Sequence, residues 1–422
     1  MSRLEDSAPN FSHLNNTAMY TSILNRIVMP LCFVIFGMTS IQAAQKDSTA
    51  TADSTSDKGK LTISGYADVY YTYNFNKPVH SNGLGVDNPG RIFDVKHNTF
   101  SVGLVQTKFV YTKNRSELVM DLVVGPNAEL GNFGNVYGSM IAIKQAYFAY
   151  DVTDKLTVTA GQFGTHVGYE LIDAPLNTNY SLSYLFGNGP FYHTGLKAAY
   201  SVSDHFGVMG GIVNGWDALI SFNKHKSFIA QVYISPFDDL DIYVNYLGGD
   251  NKNSLSFPTI GSPGAPISDS IKTPSHLFDL TATYQVSDKL KLGLNAAYGF
   301  GHIGLDSTTA DGYTDASWWG AALYINYTVS KKFLISLRSE TFADPDGVRY
   351  VGASTYPGLG AGTFNEFTLT GDITLDEGNL HLKPEFRIDV AENKVFVSDP
   401  GSTSPKATNT QPTLGMAAVY SF

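Results

Sequence analysis

The sequence predicts an all-β protein, a transmembrane antiparallel β-barrel of about 16 strands. Three observations carry that prediction. Apolar side chains recur at every second position from Leu61 to the end of the chain, a period that only strands produce. The connections between these segments alternate strictly between short turns and long polar loops. The 422-residue chain also closes on an amphipathic strand whose final residue is a bare aromatic, Phe422.

Taken in order, residues 1–44 read as a secretory signal. Arg26 precedes the apolar run from Ile27 to Gly37, and Ser40-Ile-Gln-Ala-Ala44 supplies small residues for cleavage. A run of about a dozen apolar residues is too short to span a bilayer, which takes about 20. The first 18 residues are unusual for a leader, so translation is expected to begin at Met1, Met19 or Met29. Cys32, the only cysteine, lies in this segment behind Met-Pro-Leu, without the small residue that lipidation needs. The mature chain is therefore expected to lack disulfides and cysteine-based metal sites. Residues 45–60 are rich in Ser, Thr, Asp and Lys and have almost nothing to bury, which predicts a flexible tail.

The barrel is expected over 61–422. Short turns fall at Lys113–Ser116, Val152–Lys155, Val202–His205, Pro236–Asp239, Val286–Lys289, Val329–Lys332 and Asp376–Asn379. Long connections fall at about 77–97, 127–138, 165–190, 215–226, 249–273, 302–315, 343–360 and 392–411. Seven short and eight long connections make sixteen strands with both termini on the short-turn side. An even strand number with connections sorted by length is the pattern of an outer-membrane barrel, and a soluble sandwich does not sort them so. Ile335 and Leu337 oppose Ser336, Arg338 and Glu340, while Phe386 and Ile388 oppose Glu385, Arg387 and Asp389. A charge facing mid-bilayer costs about 2–4 kcal/mol, so the charged face is the lumen. Sixteen strands leave an aqueous channel, whereas eight fill themselves. Transport follows as the default expectation.

The loop 165–190 holds apolar and aromatic residues that a solvated loop does not need. It is expected either to cap the rim or to fold into the lumen, where Glu170 and Asp173 would face wall cations. By parity those are Lys108, Lys144, Lys197, Lys291, Arg338, Lys383 and Arg387, and opposed charge rows would set up a transverse field. Glu340 and Glu385 stand beside Arg338 and Arg387 in the strand register and would neutralise them as lumen ion pairs. The formal charge of −10 argues against nucleic acid and predicts a cation-favouring pore.

The final strand puts Leu414, Met416, Ala418, Tyr420 and Phe422 on one face and Thr413, Gly415, Ala417, Val419 and Ser421 on the other. It resembles the closing strand of bacterial outer-membrane barrels, which implies Tyr420 and Phe422 as the assembly signal read by the barrel assembly machinery.

The chain carries, in order, Gly65-Tyr-Ala-Asp-Val-Tyr-Tyr-Thr-Tyr-Asn-Phe-Asn76, Arg91-Ile-Phe-Asp94, Asn98-Thr-Phe100, Gly161-Gln-Phe-Gly164, Gly168-Tyr-Glu170, Asn179–Ser183, His193-Thr-Gly195, Asn214-Gly-Trp-Asp217 and Phe342–Gly347. With these motifs it resembles, over Leu61 to Phe422, the OmpL-like β-barrel porins of Gram-negative outer membranes. It implies a porin role and brings no catalytic residues.

The expected function is passive diffusion of small hydrophilic solutes or ions across the outer membrane. The alternatives are a surface barrel acting as adhesin or scaffold through its long loops, and an outer-membrane hydrolase. Against the last, there is no Gly-x-Ser-x-Gly elbow, and His166 and His193 have no evident nucleophile beside them. Asp344-Pro-Asp-Gly347 lacks the remaining ligands of a calcium loop and reads as a β-turn. No metal or cofactor is expected. By analogy with general porins, a homotrimer is the oligomer to test.

Overall fold

The computed structural model describes residues 59–79, 86–131, 141–221, 225–250, 274–305, 308–309, 312–349 and 361–422. The expected signal segment, its alternative starts and nearly all of the 45–60 tail lie outside the described residues.

The strands are β1 (Lys60–Asn74), β2 (Phe100–Lys113), β3 (Ser116–Val124), β4 (Ile141–Asp151), β5 (Leu156–Gly164) and β6 (Tyr192–Ser203). They continue as β7 (Phe206–Val213), β8 (Ser227–Phe237), β9 (Leu240–Asp250), β10 (Pro274–Ser287), β11 (Leu290–Leu305) and β12 (Tyr313–Ser330). The last are β13 (Phe333–Asp344), β14 (Gly362–Leu375), β15 (Leu380–Ala391), β16 (Phe396–Ser398), β17 (Lys406–Thr408) and β18 (Thr410–Ser421). Sixteen of them form one closed barrel in which chain neighbours pair and β18 pairs both β15 and β1. β16 and β17 make a separate ribbon within the last long connection, which the sequence reading treated as plain loop.

Closure is made by the chain ends. Tyr66 to Asn74 run opposite Ser421 to Thr413. Beyond that ladder, Gly65 and Phe422 exchange two backbone hydrogen bonds of 3.1 and 3.0 Å. Gly65 is required at this seam. A Cβ there would lie 2.2 Å from the Gln106 carbonyl oxygen and 2.9 Å from the Phe422 ring.

The two faces separate as the alternation demands. Leu414, Met416 and Tyr420 are about half exposed on the outside, and Thr413, Ala417, Val419 and Ser421 are buried inside. Ile335 and Leu337 face out, while Ser336, Arg338 and Glu340 are buried within. On β4 the alternation breaks at a bulge. Asp121 pairs with Gln145 and Leu122 with Ile143, leaving Lys144 as the extra residue of β4. Both Lys144 and Gln145 therefore turn inward and are buried.

Among the described residues, two short α-helices interrupt the loops, α1 (Pro126–Leu130) and α2 (Tyr184–Asn188). The second belongs to the connection between β5 and β6. Within it the Gly187 amide donates to the Ser183 carbonyl (3.2 Å), but the amides of its first turn have no partner inside so short a helix and must find one elsewhere.

Candidate pore constriction

The β5–β6 connection makes its polar contacts with inward-facing side chains. At its start, the Gly168 amide donates to Asp279 on β10 (3.0 Å) and the Tyr169 amide to Asn295 on β11 (3.3 Å). The Asp173 carboxylate pairs with Lys144 on β4. Asn179 donates to the Thr370 hydroxyl on β14 (2.7 Å), and the Tyr180 hydroxyl donates to Asp68 on β1 (2.6 Å). One segment thus touches opposite sides of the wall.

Two wall glutamates hold the loop by its backbone. Glu385 accepts the amides of Tyr180 (2.8 Å) and Ser181 (3.0 Å). Glu340 accepts those of Tyr184 and Leu185, both at 2.7 Å, at the first turn of α2. Ser183 caps the same helix by accepting from the Phe186 amide at 3.0 Å. Carboxylates receiving paired backbone amides make bonds about twice as strong as neutral ones. Lys383 completes the cradle from below, donating to the Ala174 carbonyl at 2.9 Å.

A buried chain of alternating charge runs beside this cradle: Asp94, Arg91, Asp389, Arg387, Glu366, Arg338 and Glu170. Arg91 lies 2.8 Å from Asp389, Arg387 lies 2.8 Å from Asp389, and Arg387 lies 3.6 Å from Glu366. Every member is at most 6% exposed. Both arginines of the wall also donate to the loop backbone, Arg338 to the Ser181 carbonyl (2.6 Å) and Arg387 to the Leu182 carbonyl (2.7 Å). Three cations face four carboxylates, so the row is close to neutral. In the first long loop, burial raises the Asp94 carboxyl above its ordinary range, against the pull of Arg91 and Arg387.

The sequence-named residues divide accordingly. Glu170, Arg338, Glu340, Lys383, Glu385 and Arg387 meet in one buried assembly around the loop, with Asp173 at its far side. The pairing differs from the sequence reading. Glu340 and Glu385 do not neutralise Arg338 and Arg387 beside them; they bind loop amides, and the arginines take Glu366, Asp389 and Glu170. The loop amides, which need acceptors inside the barrel, take both oxygens of Glu340 and of Glu385, while Arg387 takes Asp389 two residues along its own strand and Arg338 takes Glu366 on the neighbouring one. Lys197 stands apart with its ammonium 4.4 Å from the centre of the Phe163 ring. Lys291 is exposed on β11, and Lys108 is half-buried on β2. The constriction residues that sequence reasoning missed are Arg91, Glu366 and Asp389 as partners. Glu366 was visible by parity with Thr368 and Thr370 on β14, but Arg91 sits in a loop with no period to read.

Beside the loop, toward the short-turn end, lies a cavity of about 580 Å³ walled by β8 to β13. Among the described residues, no group of three or more His, Asp or Glu side chains could hold a metal ion.

A family model described as "Putative beta-barrel porin-2, OmpL-like" matches residues 60–422. No curated protein sequence matches the chain. Among solved structures, the outer membrane channel DcaP of Acinetobacter baumannii is similar with a TM-score of 0.55 at 11% identity, covering 88% of this chain and 100% of that one. OmpT of Vibrio cholerae, an outer membrane protein solved in a trimer form, gives a TM-score of 0.55 at 13% identity over 87% and 100% of the two chains. An anion-selective porin from Comamonas acidovorans gives 0.52 at 10% identity, covering 86% and 100%. At these identities the likeness is one of fold.

Proposed function

We propose, from the premise that this chain belongs to the OmpL-like β-barrel porin-2 family, that it is a passive diffusion channel for small hydrophilic solutes or ions. The barrel resides in the outer membrane, with its apolar face against lipid. The observation that carries the reading is the β5–β6 loop bonded to inward-facing side chains on opposite sides of a sixteen-stranded wall. A barrel this wide needs a constriction to discriminate among solutes. Here the loop narrows the lumen, and polar wall remains beside it. The reading needs no catalytic residue.

Around this core we place the remaining steps of the protein's life. Residues 1–44 direct export and are removed, and 45–60 form the periplasmic tail. Tyr420 and Phe422 present the closing strand to the barrel assembly machinery. A homotrimer is the working oligomer. The purified, refolded chain in a planar lipid bilayer is expected to give discrete conductance steps. A correctly folded barrel that stays electrically silent would sink the reading.

A further inference from the structure

The cavity beside the loop has the composition of a binding site. Its roof is the loop from Tyr169 to Asn179, and its walls are inward-facing Thr, Gln, Asn and Tyr side chains of β8 to β13. At the short-turn end it is bounded by Lys289 and Lys291. Both ammonium groups are exposed, and among the described residues neither has a partner. The one carboxylate on the lining, Glu170, is turned away into its pair with Arg338. Nearby Asp241 is engaged by the Tyr233 hydroxyl at 2.7 Å. Within a chain of formal charge −10, this compartment is therefore locally cationic.

Its aromatic side is built with equal care. Tyr169 stacks on Tyr324 with ring centroids 4.2 Å apart. The Tyr169 ring also lies against Gly293, where a Cβ would come within 2.5 Å of it. Gly293 is two residues from Lys291 on the same inward face of β11, and its missing side chain makes room for the Tyr169 ring. Thr283 and Asn326 bond the Tyr169 hydroxyl and fix the ring, and the hydroxyls of Thr281 and Thr328 complete the lining. About 300–1,000 Å³ is the range of small-molecule sites, and 580 Å³ falls within it.

We propose that this cavity is a binding vestibule for small hydroxylated anions, a carboxylate or phosphate ester carrying a polyol or sugar body. Lys289 and Lys291 hold the anionic group, the Tyr169 ring covers the apolar face of the body, and the Thr281 and Thr328 hydroxyls bond its hydroxyls. The assignment rests on the porin reading and names the solute class for that channel.

The test is equilibrium titration of the folded full chain in detergent with gluconate, glucose 6-phosphate and neutral glucose, alongside bilayer recordings with the same solutes. At least one anion is expected to bind and to block current, with glucose doing neither; the stronger of the two identifies the anionic group. The double variant K289Q/K291Q, at exposed positions, is expected to weaken that binding about tenfold or more. G293A is expected to weaken it too, by displacing Tyr169. Equal binding of glucose, or anion binding unchanged in K289Q/K291Q, would overturn the proposal. Titration needs no current, so a silent bilayer with intact anion binding would remove the channel reading and leave the site standing.

Discussion

Arg91 and Asp389 stand 298 residues apart in the chain and meet inside the barrel, where the guanidinium of the first places Nε and Nη2 at 3.0 and 2.8 Å from one carboxylate oxygen of the second. Arg91 comes from the first long loop and Asp389 from β15. Two loops therefore enter the lumen, and one row of charges fastens both to the wall.

Replacing Arg91 by Met leaves Asp94 and Asp389 buried without that cation. Breaking one partner of a buried pair costs about 3–5 kcal/mol. The variant barrel is expected to unfold at a lower temperature, read by its heat-modifiable migration in detergent gels. Migration unchanged from the wild type would mean the row contributes little to stability.

The double substitution E340Q/E385Q keeps an acceptor at each site but removes the charge that grips four loop amides. Hydrogen bonds to charged groups contribute about 1.5–3 kcal/mol each, and neutral ones about half that. Amide hydrogen exchange across Tyr180 to Leu185 should accelerate by at least an order of magnitude, while exchange in the strands stays slow. Uniform acceleration through the barrel would contradict an anchoring role confined to the loop.

Deleting Phe422 removes both seam hydrogen bonds with Gly65. Assembly should suffer far more than permeability: less barrel in the membrane, with unit conductance preserved in what does assemble. Normal membrane levels of the truncated chain would refute this.

Asp217, in the loop after β7, accepts the amides of Phe191 (2.6 Å) and Tyr192 (3.1 Å). Burial outweighs these bonds and pushes its carboxyl from 3.8 up to about 7. The folded state thus holds a proton that the unfolded chain releases near pH 4. Its contribution is fully present below about pH 4 and is lost as pH rises through about 7. Local exchange at residues 191–192 should rise over that window, and D217N should flatten the profile. A wild-type profile already flat between pH 4 and 8 would rule the effect out.

How far the sequence reached depends on whether a period carried the information. Strand number, turn order, closure and the inward face of β13 and β15 follow from alternation, because a lipid face tolerates no error in it. Lys144, named by parity, does face inward, but the bulge beside Asp121 turns Gln145 inward with it, which alternation alone does not foresee. The convergence of Glu170, Arg338, Lys383 and Arg387 was foreseeable in kind, since loop acids and wall cations were both named. Their partners were not. The i,i+2 pairs Arg338–Glu340 and Glu385–Arg387 looked natural in one dimension, yet the loop's backbone amides claim both glutamates, and Arg387 pairs instead with Asp389, its other i,i+2 neighbour. Arg91 shows the limit most clearly: a loop without period gives no clue to which wall it will meet.

The alternating row also orders events in time. Its members arrive at positions 91, 94, 170, 338, 366, 387 and 389, so Arg91 and Glu170 leave the assembly line long before Arg338, Glu366 and Asp389 exist beside them. Until β13 to β15 are in place, Arg91 has only Asp94 of its own loop and Glu170 lacks Arg338, so seating either loop in the row depends on the last strands of the sheet.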